Sequence, residues 1–213
     1  DAERYFRNSL EYSRRVSDRR QMALALINIA TIQLDKNQFD KAIKNSEKSI
    51  SYLTELKDLN GLGETYNLLG IIYKRQKKYA KASSHFNQAL VYFESRGNKE
   101  KIAGVYHNVG TVFKEQKKYN IALNYLNRSI DIRKQFGSKN QIYRTYRIIS
   151  EVYKDIDDIC RHANYSDYYK IFGSNHTRIT PLNKQDFFAC ANTELSSEYI
   201  DSLYQLCGGW EAL

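Results

Sequence analysis

Residues 66–89 read YNLLGIIYKRQKKYAKASSHFNQA, and the apolar residues of this stretch follow a helical pattern. Two runs return to one face of a helix at intervals of three or four residues. They are Tyr66, Leu69, Gly70 and Tyr73 in the first run, and Tyr79, Ala82, Phe86 and Ala89 in the second. A Lys- and Gln-rich segment separates them. The stretch therefore predicts two helices joined by a turn.

The same pattern recurs every 40 residues along the chain. One position of this period always holds a small residue, namely Ala30, Gly70, Gly110 and Ser150. A small residue at a fixed place allows two helices to cross closely, because a larger side chain would force their axes apart. The position before it is always aliphatic, and other positions are aromatic, which predicts packing between successive helix pairs. With one proline and no alternating pattern, the chain predicts no sheet.

These residues resemble the tetratricopeptide repeat, whose signature is an aromatic residue, an aliphatic-Gly pair, an aromatic, an Ala, an aromatic and another Ala. Residues 66–89 supply that order in full, and residues 106–129 repeat it with weaker matches at Leu126 and Ser129. The 40-residue period is similar to the long-helix subtype seen in kinesin light chains and in bacterial Rap-like peptide receptors. The resemblance implies an all-α fold, a right-handed superhelical solenoid of antiparallel helix pairs.

The phase of the repeat predicts the organisation of the chain. Residues 1–158 are predicted to form repeats, and residues 159–213 a divergent helical C-terminal segment. The repeats divide into the second helix of a truncated repeat at 1–18, helix pairs at about 21–58, 61–97 and 101–137, and the first helix of the next pair at 141–157. Because residue 1 falls at the start of a second helix, we expect the natural protein to continue upstream. Gly97 and Gly137 are predicted helix caps with left-handed backbone.

The segment 159–213 differs from the repeats in composition. It holds all three cysteines, the only proline and the only tryptophan, and from residue 160 onward four basic and six acidic residues, whereas the whole chain carries a net charge of +9. An amphipathic helix is predicted at 193–207. It either caps the last repeat or lies in the groove as an internal ligand. A separate domain is the alternative interpretation.

The sequence lacks the usual signs of a membrane, metal or catalytic protein. No apolar run is long enough for a membrane helix, and an odd number of widely spaced cysteines is typical of a reducing compartment, so we predict a cytoplasmic protein. Phosphate-binding glycine loops, paired metal ligands and nucleophile motifs are missing. Cys160, His162, His176 and Cys190 lack the spacing of a zinc site. We therefore predict no catalytic residue, no metal and no cofactor.

The resemblance places candidate ligand-binding residues on the first helix of each pair, which lines the concave surface of such proteins. Asn28 and Asn108 share one position of the repeat, where long-helix relatives grip the backbone of an extended peptide, because a carboxamide offers both a donor and an acceptor. Their predicted neighbours in the site are Asn67, His107, Thr111 and Arg147. Ile27 and Thr31 stand where chaperone-binding relatives need Lys and Asn, so that subclass is disfavoured.

Basic residues cluster at the turns inside the helix pairs. They are Lys74, Arg75, Lys77, Lys78, Lys114, Lys117 and Lys118. Stacked repeats would align them along one edge, which could attract an acidic protein segment or nucleic acid. Of these two partners, nucleic acid is disfavoured, because charged turns are usually solvated.

Together these observations predict a non-catalytic scaffold that binds a peptide or protein segment on its concave surface, as part of a larger regulatory protein. Two alternatives stay open. The chain could be the non-catalytic scaffold portion of an enzyme assembly, such as a sensor kinase or a protease, or it could bind nucleic acid along the basic edge.

Overall fold

The computed structural model describes residues 2–136 and 139–155, with the side chains of residues 153 and 154 left aside. Over these ranges the chain forms eight helices and no strand, which confirms the predicted all-α class. The helices are α1 (Ala2–Arg15), α2 (Arg19–Asp35), α3 (Phe39–Glu55), α4 (Leu59–Arg75), α5 (Tyr79–Ser95), α6 (Lys99–Glu115), α7 (Tyr119–Phe136) and α8 (Lys139–Asp155). The predictions for Gly137 and for the segment 159–213, including the helix at 193–207, lie outside the described residues.

The chain divides into two compact units, with the boundary inside α7 between Ile132 and Arg133. The first unit contains α1 to α6 and most of α7. In the second, the described residues are the end of α7 and α8, where the Arg133 guanidinium donates hydrogen bonds to the carbonyl of Gln141, at 2.7 Å, and to the hydroxyl of Thr145. The buried Tyr146 and Ile149 give α8 the apolar face that the repeat predicts.

Regular turns set the spacing of the helices. Helices α2 to α6 each have 17 residues and are separated by three-residue turns, so helix and turn together take half of the 40-residue period. Each turn from α1 to α7 holds one residue with positive φ, in order Ser17, Asn37, Lys57, Lys77, Gly97 and Lys117. The predicted cap at Gly97 is thereby confirmed. The other five residues are not glycines, and the sequence did not mark them as left-handed.

Side-chain caps begin the first helix of each pair. The Asp18 carboxylate accepts a hydrogen bond from the backbone N–H of Gln21 at 3.0 Å, and the Asp58 carboxylate accepts one from the N–H of Gly61 at the same distance. Asn98 caps α6 in the same way. These caps occupy backbone N–H groups that a helix start leaves without an internal partner.

The two helices of a pair run antiparallel. In the first pair, Ser49 Oγ of α3 donates to the carbonyl of Ala23 at 3.2 Å, and Asn45 Nδ2 donates to Gln33 Oε1 at 2.8 Å. Because residue numbers fall along α3 as they rise along α2, the two helices run in opposite directions.

Close packing explains the small residues of the repeat. A Cβ added at Gly70 would lie 2.5 Å from the ring of Phe86, and one added at Gly110 would lie 2.7 Å from Leu126 Cγ. Both neighbours are fully buried. The predicted reason for the small position, a close helix crossing, is therefore confirmed at these two glycines.

Aromatic side chains fill the seams between helices. The rings of Tyr73 and His85 stack at 5.1 Å between α4 and α5, and Phe113 and Tyr125 occupy the same positions in the next pair, stacked at 5.6 Å. Tyr73 also packs against the buried cluster around α2 and α3. These rings thus join the helices of one pair and connect it to its neighbour, as the sequence predicts.

The first helices of successive pairs are neighbours, because α4 contacts both α2 and α6. Their solvent-facing side, called here the first-helix face, is the surface of α2, α4 and α6 that carries Asn28, Asn67, His107, Asn108 and Thr111. It is the surface on which the sequence places the candidate site.

Candidate functional site

The centre of the first-helix face is a hydrogen-bonded pair of asparagines from two successive repeats. Asn108 Nδ2 of α6 donates to Asn67 Oδ1 of α4 at 3.0 Å, and both side chains are partly buried. The bond uses one donor of Asn108 and one acceptor of Asn67. A carboxamide has two N–H donors and an oxygen with two lone pairs, so each side chain keeps groups that this bond does not occupy.

Asn28 lies on the same face but outside this pair. It is exposed on α2, and its counterpart on α4 is Leu68, which is only 7% exposed and packs into the core. The structure therefore pairs Asn108 with Asn67, which occupies the preceding position of the repeat. Asn28 and Asn108 share one position of the repeat, and in the helix between them, α4, that position holds Leu68.

His107 and Thr111 stand beside the asparagine pair on α6. Thr111 Oγ1 donates to the carbonyl of His107 at 2.9 Å, a bond from a hydroxyl to the carbonyl one turn earlier. Both side chains are partly buried. They lie on the same helix as Asn108 and within one turn of it, and their part in a binding site stays a prediction.

Arg147 belongs to the second unit, on α8. Its side chain is 53% exposed, and its Nε lies 3.9 Å from Glu151 Oε1, one turn later on the same helix. It stands at the position of the repeat that holds Asn67 and His107 in α4 and α6. Its predicted part in the site stays a prediction.

Ion pairs bridge the first helices on either side of the asparagines. Lys101 Nζ of α6 lies 2.8 Å from Glu64 Oε1 of α4. Toward the other end of the face, Arg75 donates to the carbonyl of Leu34 at 3.1 Å and lies 3.6 Å from Asp35 Oδ1. The uncharged asparagine pair is therefore flanked by ion pairs in which each charge has a partner of opposite sign.

Burial changes the proton affinity of one lysine near this face. Desolvation lowers the pKa of Lys74 below its ordinary value, the nearby Glu115 carboxylate opposes that shift, and the Arg75 guanidinium adds to it. Lys74 is therefore partly buried and is not a freely solvated charge.

Fewer basic residues are exposed at the predicted basic edge than the sequence suggests. Lys77, Lys78, Lys117 and Lys118 are exposed at the turns. Lys74 and Lys114 are partly buried, and Arg75 is held by Asp35 and Leu34. The exposed basic residues of this edge are thus Arg75, which is paired with Asp35, and the two lysine pairs of the turns.

The described part of the chain contains neither a cluster of metal-ligating side chains nor a helix suited to span a membrane. Among residues 2–136 and 139–155, no group of three or more His, Cys, Asp and Glu side chains is placed to hold a metal ion. Cys160, His162, His176 and Cys190 lie outside these ranges. No helix within them has the length and apolar character that a membrane span requires.

The sequence did not single out Gly104 or the Glu64–Lys101 pair. Gly104 is a glycine in the middle of α6, outside the small position of the repeat, and a Cβ added there would have no atom within 4 Å. A glycine inside a helical pattern and outside the small position is a signal that the sequence carries, because glycine weakens a helix. Only the structure shows that no neighbour requires it. The ion pair could not be read from the sequence, since it joins two repeats.

Comparison with protein families identifies the repeats. Models of the tetratricopeptide repeat match residues 61–135 and residues 23–52. No curated protein sequence gives a significant match to the chain.

Solved structures of similar fold come from several proteins of low sequence identity. BtubC (BKLC) from P. vanneervenii is 18% identical with a TM-score of 0.72, and the alignment covers 99% of this chain and 84% of that one. Aspartyl phosphate phosphatase F from Bacillus subtilis is 16% identical with a TM-score of 0.73, covering 97% and 50%. MamA protein is 15% identical with a TM-score of 0.50, covering 92% and 97%. At these identities the likeness shows a shared fold.

Proposed function

We propose, from the premise that this chain is a tetratricopeptide-repeat-like protein with long-helix repeats, that it binds an extended peptide or protein segment on the first-helix face. Such repeats generally serve as non-catalytic scaffolds for protein interaction. The single observation that carries the proposal is the hydrogen bond between Asn108 and Asn67. It concentrates two carboxamides from two repeats at one point of the face.

The asparagine pair suits the recognition of a peptide main chain. Its unoccupied N–H and oxygen groups can meet the C=O and N–H groups of one extended segment. Because the pair is pre-formed, little side-chain entropy is lost when a ligand binds. His107 and Thr111 border the pair, and Asn28 would contact a ligand that extends toward α2.

The charges around the pair favour binding through the main chain of the ligand. Glu64 is matched by Lys101, and Arg75 by Asp35, so neither ion pair offers a lone charge to a terminal carboxylate. A clamp for a charged chain end needs such an uncompensated charge. We therefore propose that the site takes an internal segment of its ligand.

Three predictions from the sequence stay with this proposal as predictions. They are a partner with acidic residues, a contribution from Arg147, and a cytoplasmic location. Enrichment of Asp and Glu among peptides selected for binding would support the first, and loss of affinity on substitution of Arg147 would support the second.

The test is the affinity of Asn108→Ala for peptides selected from a random-peptide phage library on the full chain. We expect a loss of about 1 kcal/mol or more, because truncation strands the groups that the ligand had engaged. The fold should be retained, since Asn67 is only partly buried and water can replace its lost partner. The matched control is Asn124→Ala, which makes the same change on an exposed site of α7. Selected peptides that bind Asn108→Ala as tightly as the parent would refute the proposal.

A further inference from the structure

Gly104 has neither of the usual reasons for a glycine inside a helix. Its φ is not positive, and a Cβ added to it would have no atom within 4 Å, whereas one added at Gly110 in the same helix would lie 2.7 Å from Leu126. Glycine in a helix interior costs about 0.5–1 kcal/mol relative to alanine. At this position the chain thus carries a less stable residue that its own packing does not require.

The open space at Gly104 lies on the first-helix face, one turn before Asn108 on α6. Gly104 follows Lys101 by three residues and precedes Asn108 by four, so the three lie on one side of α6. Lys101 is bridged to Glu64, and Asn108 to Asn67, both on α4. We call this space the Gly104 notch. Its borders are an ion pair on one side and the asparagine pair on the other.

At Gly104, α6 lacks a side chain that other first helices carry. The same position of the repeat holds Leu24 in α2 and Glu64 in α4. Leu24 is 41% exposed, which shows that a large side chain at this position projects from the face into solvent. Glycine in α6 leaves that room empty.

We propose that Gly104 determines ligand specificity: the ligand main chain binds the asparagine pair, and one uncharged ligand side chain occupies the Gly104 notch. This inference rests on the proposed function. An uncharged residue fits because Glu64 and Lys101 already neutralise each other at 2.8 Å. A charged ligand residue would meet a charge of its own sign at Glu64 or Lys101 together with the opposite charge, so it would gain little from this exposed ion pair.

The test compares Gly104→Ala and Gly104→Leu with the parent chain. The probes are synthetic peptides from the phage selection that lose affinity on Asn108→Ala. We expect Gly104→Leu to weaken their binding roughly tenfold or more, because the leucine fills the space that the ligand needs. Gly104→Ala should weaken it less while raising the thermal unfolding midpoint by about 1–4 °C. Stability and affinity should thus change in opposite directions.

Asn124→Leu, on the exposed side of α7, is the control for adding a leucine and should leave affinity unchanged. A second selection on Gly104→Leu should yield peptides with Gly or Ala where the first peptides carry a larger uncharged residue. Equal affinity of the parent and Gly104→Leu for the Asn108-dependent peptides would overturn the inference while the proposed function stands. If the selection yields no Asn108-dependent peptide, the proposed function fails and the inference fails with it.

Discussion

Two glycines of α6, six residues apart, serve opposite purposes. Gly110 faces the partner helix, where a Cβ would lie 2.7 Å from the buried Leu126. Gly104 faces solvent, and a Cβ there would have no atom within 4 Å. The buried side of the helix needs a small residue so that two helices can meet, whereas the first-helix face keeps a glycine that lowers stability. The contrast separates residues that build the fold from residues that leave room on its surface.

Among the substitutions that test this contrast, Gly70→Ala is expected to change the free energy of unfolding most. The added Cβ would lie 2.5 Å from the ring of Phe86, which is fully buried. We expect a loss of about 1–3 kcal/mol in the free energy of unfolding, the usual cost of overpacking. Urea denaturation of this variant beside Gly104→Ala measures both sides of the comparison. If both variants shift stability in the same direction, the distinction between the two kinds of glycine is wrong.

A smaller change in stability is expected at the turn that contains Lys77, where the backbone conformation favours glycine. Lys77 has a φ of 59°, close to the 63° of Gly97 in the next turn. Because this conformation is strained for a residue with a Cβ, Lys77→Gly should raise the free energy of unfolding by about 0.5–1 kcal/mol.

The neighbouring Lys78 is the control for that change. Its φ is −86°, so Lys78→Gly relieves no strain and should give no gain in stability. Thermal unfolding of the two variants is the measurement. A gain from both, or from neither, would contradict the explanation from backbone conformation.

The smallest effect on stability depends on pH and compares two partly buried aromatic contacts in successive helix pairs. His85 stacks on Tyr73 where Tyr125 stacks on Phe113 in the next pair. Burial lowers the pKa of His85 below 6.5. The hydrogen bond that the His85 ring donates to Gln88 Oε1 and the charge of Glu47 oppose that shift, and Lys81 adds to it. A lowered histidine pKa means that the unfolded chain binds the proton more tightly. The stability linked to His85 is therefore complete above about pH 6.5 and is lost as the pH falls through the lower folded pKa.

His85→Tyr copies the next repeat and removes this titration. As the pH falls from neutral to mildly acidic, the parent should lose stability relative to His85→Tyr. Above neutral pH the difference in stability between the two should stay constant. Denaturation curves across that range measure it. A constant difference at all these pH values would show that the ring environment does not affect protonation of His85.

The fold was predictable because its signals are local or periodic. Tyr66, Leu69 and Gly70 indicate a helix from their own spacing, and the same spacing 40 residues later indicates the next one. The positive φ at Lys77 was not predictable. Lysine is not a residue that favours this conformation, and it takes it here because the regular three-residue turn requires it.

The candidate site was predictable only in part. The sequence placed Asn67 and Asn108 on first helices, but they occupy different positions of the repeat, so nothing in the period indicated that they would meet. The structure brings their side chains to 3.0 Å because α6 packs beside α4.

By itself the sequence determined the helices, their pairing and the positions that must stay small, because helix periodicity and turn length act over a few residues. Tertiary structure alone decided which polar groups share the first-helix face. It joined Asn67 to Asn108 and Glu64 to Lys101, and it left Gly104 open between the two pairs. These contacts depend on how one helix pair packs against the next, and that packing follows from side-chain shape across the interface, which the spacing of residues along one helix does not specify.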